Sequence, residues 1–445
     1  MKTSLSELRW LRFALLTSCY FAQGVPLGLL SVAIPPRLAE LGYGVSDVAL
    51  VGTVVALPWA IKLLGGPFMD RFKFPAMGFR RPWVLAAQAG LTLSLIALAF
   101  VPLGADVSLV PLMAAGFLVN AFAATQDVAV DGMAIDVLEM DERGRANAFM
   151  GFGQSAGRAA FGAVCGYLLA QWGLAAGAMA CAAMLAIVFV FATVVRERPG
   201  ERLLPWTEGR ATERAETAKR GFRSIFADLM RVLFLPMSLL LVAVEFINRV
   251  RDGMEVAVFP VFAVEQLGYT TIEYANFTAA VGLASAFAGA MLGFVIDRHG
   301  AKRFLLVALA GSAACHLVAG SLPSLWEERD QVLVLAGLIY LFTQLIFVAT
   351  IALFMNLCWP RIAATQFAIY MSLANLSRTV GSGTMAVVGD HLTFAQDFLI
   401  MGALLAVSAG LLLFYNQSAH TARLAALEQP SGDASPVRHP RTSVA

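Results

Sequence analysis

Charge is what this sequence has least of. Asp, Glu, Lys and Arg make up only 14% of the chain, against about a quarter of a typical soluble domain. So few charges cannot cover a water-facing surface of this size, so a soluble fold is excluded and lipid must be the main solvent. Cysteine is also sparse: Cys19, Cys165, Cys181, Cys315 and Cys358 stand singly in apolar stretches, with no CxxC pair and no His at metal-ligand spacing. They read as free, buried, small apolar residues rather than as a disulfide framework or a metal site. The five histidines are scattered, and only His316 falls within an apolar run. No Ser-His-Asp set, HExxH, nucleotide loop or metal cluster is present, so no enzyme activity and no cofactor are expected. A net charge of +2 gives no reason to expect nucleic acid as a partner.

What the sequence has in abundance is apolar residue, 59% of its length, in long runs. A membrane helix needs about 20 mostly apolar residues to cross a core of about 30 Å. Such runs predict twelve spans, at 12–34, 48–69, 83–103, 108–134, 146–170, 173–195, 236–264, 274–296, 304–322, 331–357, 363–388 and 394–415. The first follows Lys2, Arg9 and Arg12 but is too long for a signal peptide and lacks a small-residue cleavage site, so it is read as a retained span. A polar stretch beginning RERPGERLLPW is too charged to cross. The expected organisation is therefore a six-helix bundle over 1–195, a cytoplasmic linker over 196–235, a second six-helix bundle over 236–417 and a disordered cytoplasmic tail over 418–445.

The loops alternate in charge. One set holds 25 of the 32 Lys and Arg, while the opposite loops hold only Arg37 and Arg329 and carry instead Glu40, Asp47, Asp106, Glu265, Glu273, Glu327, Glu328, Asp330 and Asp390. The positive-inside rule puts both termini in the cytoplasm of a multi-pass inner-membrane protein. A misplaced span would destroy the alternation.

The two groups of six repeat one another. GGPFMDRF (Gly66, Asp70, Arg71) follows the second span and GFVIDRHGAKR (Asp297, Arg298) follows the eighth, while Arg158 and Arg378 sit alike in the fifth and eleventh. Six plus six helices with both ends inside is the plan of the major facilitator fold, an all-α integral membrane architecture of two pseudo-symmetric bundles that rock about a midplane site. The Gly-x-x-x-Asp-Arg loops read as conformational latches, with the Asp at a helix N-terminus. A plain charged turn is the simpler alternative for either loop alone.

Several segments resemble the major facilitator family that contains the AmpG-type muropeptide permeases, the acetyl-CoA transporters and certain siderophore permeases. They are YFAQGVPLGLL (20–30), LPWAIKLLGGPFMDRF (57–72), GFRRPW (78–83), ATQDVAVDGMAIDVL (124–138), ERGRANAF (142–149), RDGM (251–254) and ATQFAIYMSLANLSR (364–378). The resemblance implies a secondary importer driven by the proton gradient and leaves the solute open among the three branches. The chain lacks room for the extra spans that some muropeptide permeases carry.

An ionisable group at the bilayer centre costs at least about 2.5 kcal/mol, so each needs a partner or a purpose. Asp127 and Asp131 share one face of the fourth span, and two carboxylates in a low-dielectric cavity favour a proton on one of them. Asp127, the deeper, is the preferred proton site; permanent pairing with a cation is the alternative. Lys62 is expected to pair with Asp127 or Asp131 or to contact an anionic solute, with snorkelling to the interface as the simpler reading. Glu245, Arg249 and Asp252 form one stripe of the seventh span, for protons and solute or else satisfied within the helix; Glu255 has no assigned role. Arg158 and Arg378 suit a carboxylate or phosphate, or else pair with Asp127 or Glu245. Tyr20, Gln23, Gln126, Gln154 and Asn375 are further cavity candidates. Asp136 is expected to pair with Arg80 or Arg81, part of the same basic-loop latch.

The expectation is a monomeric, proton-coupled importer of an anionic organic solute such as an anhydromuropeptide. A siderophore or acyl-CoA-like solute fits nearly as well. A passive uniporter is disfavoured by the buried carboxylates. A non-transporting membrane assembly factor on a transporter-like shell is the reading from another class.

Overall fold

The computed structural model describes residues 4–62, 65–72, 74–139, 142–210 and 222–428, with no side-chain description at 66, 67, 70, 144, 222–225, 290, 292–297, 299 and 364. The described residues form helices joined by short turns, with no strand beyond one isolated bridge between Ser4 and Arg196.

The first span is a continuous rod built of α1 (Arg9–Gly28), a π-helical turn (Leu29–Ala33) and α2 (Ile34–Glu40). Pro35 and Pro36 have no N–H to donate, which removes bonds from the turn before them and is met there by local widening. In the second span α3 (Val45–Ile61) contains Pro58, and α4 (Gly65–Arg71) follows, with residues 63 and 64 outside the described residues. Then follow α5 (Arg81–Leu98), α6 (Val110–Val137), α7 (Arg143–Trp172) and α8 (Leu174–Val194). After the linker come α10 (Pro236–Glu265), α11 (Thr271–His299), α12 (Ala301–Ser321), α13 (Arg329–Leu357), α14 (Ala363–Val388) and α15 (Phe394–Leu413).

Among the described residues, seven helices are long and apolar enough to cross a bilayer by composition alone, the first span, α5, α6, α8, α12, α13 and α15. α7, α10 and α14 are not among the seven; they carry Arg158, the charges from Glu245 to Glu255, and Arg378. At 30 residues, α7 and α10 are each about 45 Å long. Helices of that length with charged interiors are lining helices: they hide polar groups from lipid by facing inward.

The linker, expected only to be too charged to cross, and the start of the tail, expected to be disordered, each contain a helix. The linker contains α9 (Phe222–Leu233), bent by 76° from α10, with Leu229 and Val232 buried against Trp359 and Ile362. The tail begins with α16 (Gln417–Glu428), and its buried His420 bonds through Nε2 to the carbonyl of Leu357 at 3.0 Å. Burial draws the His420 imidazole below its usual range, since the charged form is poorly solvated there. The rest of the tail lies outside the described residues.

The ends of the bundles differ. At the basic face, the N-terminal segment and the stretch after α8 are tied together: the N–H groups of Leu5 and Ser6 donate to the carbonyls of Arg196 and Glu197 at 2.8 and 3.0 Å. Glu197 accepts three backbone N–H groups at the start of α5, from Phe79, Arg80 and Arg81 at 2.8, 2.8 and 2.6 Å. This is a cap supplied by a residue 116 positions away from Arg81. Arg12 is buried and pairs with Glu142 at 2.7 Å, holding that carboxyl below the usual carboxylate range.

Candidate transport site

Glycine sets the position of the two midplane arginines. Arg158 and Arg378 lie equally far along α7 and α14, each 15 residues past the first residue of its helix. α1 crosses α7 at Gly24 and Gly28, where an added Cβ would meet the Arg158 amide nitrogen and carbonyl oxygen, each at 2.7 Å. In the other half α10 crosses α14 at Gly253 and Gly381, where a Cβ would collide with the carbonyl of Arg378 and of Val250. Only glycine allows such backbone approach. Each arginine is thus fixed by a close helix crossing in its own half, in matching places.

The charges of the first half form a small group around α6. Lys62, at the end of α3, donates to Asp127 Oδ2 at 2.6 Å and lies over the Trp59 ring at 5.3 Å. Trp59 donates to Asn120, which donates to the carbonyl of Val55 at 2.6 Å, so the end of α3 is strapped to α6. Asp131 accepts a short hydrogen bond from the Tyr20 hydroxyl. It has no ion-pair partner among the described residues, and it keeps exposed surface.

The charges of the second half form a closed net on α10. Arg249 pairs with Glu245 at 2.6 Å and with Asp252 at 3.5 Å, and stacks over Phe347. Asp252 takes a second guanidinium, Arg378, at 2.9 Å. Deeper in the half, the fully buried Arg251 contacts Glu255 and donates to Asn248 at 3.1 Å. His316 on α12 donates through Nδ1 to the Ser312 carbonyl at 2.7 Å, which turns Nε2 toward Glu255 Oε2 at 3.5 Å.

Arg158 is the exception. Among the described residues it makes no hydrogen bond and no ion pair, so neither Asp127 nor Glu245 is its partner. It sits within electrostatic range of Arg378, Asp252 and the tyrosines Tyr340 and Tyr274. A guanidinium inside a membrane protein with no ion-pair contact has both edges free for an anion.

The other predicted residues separate. Gln154 donates to Gln23 at 3.2 Å, and Gln126 donates to the Cys19 carbonyl at 2.8 Å. Gln23 and Gln126 are fully buried, so they tie α1 to α7 and α6 and do not line the cavity as expected. Asn375 is half-buried on α14, and its carbonyl accepts from Thr379 at 3.1 Å. Arg80 reaches Asp136 at 3.8 Å. Of the two arginines expected for Asp136 the partner is thus Arg80, while the Arg81 guanidinium donates to the carbonyls of Thr193 and Arg202, at 2.6 and 3.2 Å. Arg71 and Arg298 are exposed, while the side chains of Gly66, Asp70 and Asp297 lie outside the described residues. Sequence reasoning missed Tyr274, Tyr340 and the Arg251–Glu255–His316 cluster. Its only signal was one helical spacing, Arg251 to Glu255, on a face apart from the stripe.

The family model described as Major Facilitator Superfamily matches residues 16–277 and again 241–444. The anhydromuropeptide permease of Escherichia coli (strain K12) is 26% identical over 374 residues, 82% of this chain and 72% of that protein. The Rickettsia conorii protein named AmpG 4 is 26% identical over 404 residues, 88% of this chain and 93% of its own. Among solved structures, a POT family transporter with a thioalcohol-conjugated peptide superposes with a TM-score of 0.70 at 11% identity, covering 93% of this chain and 96% of its own. A D-xylose–proton symporter gives 0.68 at 16% identity, covering 92% and 98%. With a family model spanning most of the chain, AmpG-type permeases among its relatives and the fold of solved transporters, this multi-pass membrane protein belongs to the Major Facilitator Superfamily and is a transporter rather than an enzyme.

Proposed function

We propose that the chain imports an anionic organic solute together with a proton, and that the solute is an anhydromuropeptide. The observation that carries this reading is the unpaired Arg158 in an otherwise balanced interior. Five cations (Lys62, Arg158, Arg249, Arg251, Arg378) face five carboxylates (Asp127, Asp131, Glu245, Asp252, Glu255) in the spans around the cavity. Entry of one anion upsets that balance, and one added proton restores it. Asp131 is the carboxylate suited to take the proton: it holds only a tyrosine hydroxyl, and it stands four residues from Asp127. Asp127 is held by Lys62, so the proton role moves one helical turn along α6 from the residue favoured by depth. Arg158 and Arg378, one from each half, are the groups to bridge a carboxylate or phosphate.

The choice of solute follows the relatives named as anhydromuropeptide permeases. The protein acts as a monomer in the inner membrane with its basic loops and both termini in the cytoplasm, an orientation supported by 25 of the 32 Lys and Arg lying in one set of loops and termini. The test is uptake into proteoliposomes under an imposed pH gradient, with labelled anhydromuropeptide, ferric siderophore and acetyl-CoA compared. The expected result is accumulation of the anhydromuropeptide that collapses when the gradient is dissipated. Accumulation of another of the three moves the solute to that branch, and accumulation indifferent to the gradient overturns the coupling.

A further inference from the structure

At the acidic face two carboxylates cross from one half to the other, and each ends on the start of a helix. Glu40, the last residue of α2, accepts the backbone N–H of Thr271, the first residue of α11, at 2.5 Å. Its other oxygen is held by Arg37 at 2.8 Å. Asp390, just past α14, accepts the backbone N–H of Ser46 on α3 at 3.0 Å, and its own N–H donates to the Ser46 hydroxyl at 3.1 Å. That hydroxyl also points to the carbonyl of Met385 at 3.3 Å.

The N-terminal N–H groups of a helix have no partner within it, and its dipole favours a negative charge there. α3 cannot supply its own cap, because its N-cap is Gly44, which has no side-chain oxygen. The cap comes from the opposite half. Gly44 and Gly389 also make the approach possible: a Cβ on Gly44 would stand 2.5 Å from Asp390 Oδ1, and one on Gly389 2.7 Å from Val45. α3 begins the second span and α11 forms the eighth, which occupy equivalent places in the two halves. Both are capped across the interface, in opposite directions.

We infer that Glu40 and Asp390 are paired locks that hold the acidic face closed, and that releasing both helix starts is the step that opens the interior to that side. The locks differ in place and in residues from the glycine and Asp-Arg loops of the basic face. For its consequence the inference rests on alternating access; the locks themselves are tested without any solute.

The experiment uses the full chain in lipid nanodiscs with spin labels on the exposed acidic-face loops, at Ala105→Cys and Ser324→Cys, one in each half. Distances across the face are read by double electron–electron resonance. The unmodified locks give a single short distance. Glu40→Ala with Asp390→Ala shifts the closed-to-open ratio by about tenfold or more toward a longer distance, as loss of helix caps does, and Ser46→Ala alone gives a smaller shift in the same direction. An unchanged distribution in the double variant overturns the inference. If the double variant is not recovered folded, Ser46→Ala decides it by the same criterion. A wrong solute assignment leaves every one of these distances untouched.

Discussion

The two halves handle charge differently around one cavity. In the first half the ionic contacts are few: one lysine on one aspartate, one tyrosine hydroxyl on another, and one arginine with no ion-pair contact. In the second, Glu245, Arg249, Asp252 and Arg378 close a net in which every charge is answered at 3.5 Å or less. A net of that kind is rigid and costly to break, because removing one member leaves a charge buried and unpaired. The open set is where a proton or an anion can come and go without dismantling anything. The comparison assigns the changing charges to the first half and the fixed frame to the second.

The largest effect expected from this contrast separates two arginines. Arg158→Ala should weaken equilibrium binding of labelled anhydromuropeptide by about 100-fold, the scale of a lost buried charge pair, while leaving thermal unfolding nearly unchanged. Arg249→Ala should do the reverse, lowering the unfolding temperature because Glu245 loses its partner. If both variants lose binding and keep stability, the second half is no fixed frame.

A double-variant cycle sharpens the first-half side. Lys62→Met or Asp127→Leu alone should each cost about 3 kcal/mol in unfolding free energy, by stranding the other charge. The pair together should recover most of that loss. A double variant no more stable than either single shows that the Lys62–Asp127 contact at 2.6 Å is not what holds the end of α3.

The smallest effect lies outside the membrane. Glu201, in the stretch after α8, is pushed up to about 7 by burial and by the neighbouring Glu197 charge. A carboxyl raised in the folded state stabilises the fold most at pH below its unfolded value of about 4.3; that contribution is lost as pH rises toward 7 and is absent above it. The protection factors of the amides in residues 196–202, which correct for the base-catalysed intrinsic rate, should therefore fall between pH 5 and pH 8, and Glu201→Gln should remove the difference. Protection factors that do not change with pH in the unmodified protein would contradict this.

Much of the fold was legible in the sequence, because the alternation of basic and acidic loops leaves little freedom in placing the spans. α9 and α16 were not legible: their polar residues argue against crossing, yet a single apolar stripe and one buried His420 are enough to dock them on the second half. At the site, pairs within one helix such as Glu245 and Arg249 were legible from spacing, and Lys62 with Asp127 from the scarcity of counter-charges. The acidic-face contacts were not. They join a side chain to a backbone N–H 231 and 344 residues away, and backbone donors leave no trace in residue type.

The most direct measurement of the central claim is transport by Asp131→Asn in proteoliposomes, with gradient-driven accumulation and solute exchange measured side by side. The account predicts that accumulation disappears while exchange continues, because the anion site built on Arg158 and Arg378 is intact and only the proton has lost its place. Accumulation that survives at the unmodified rate would contradict it.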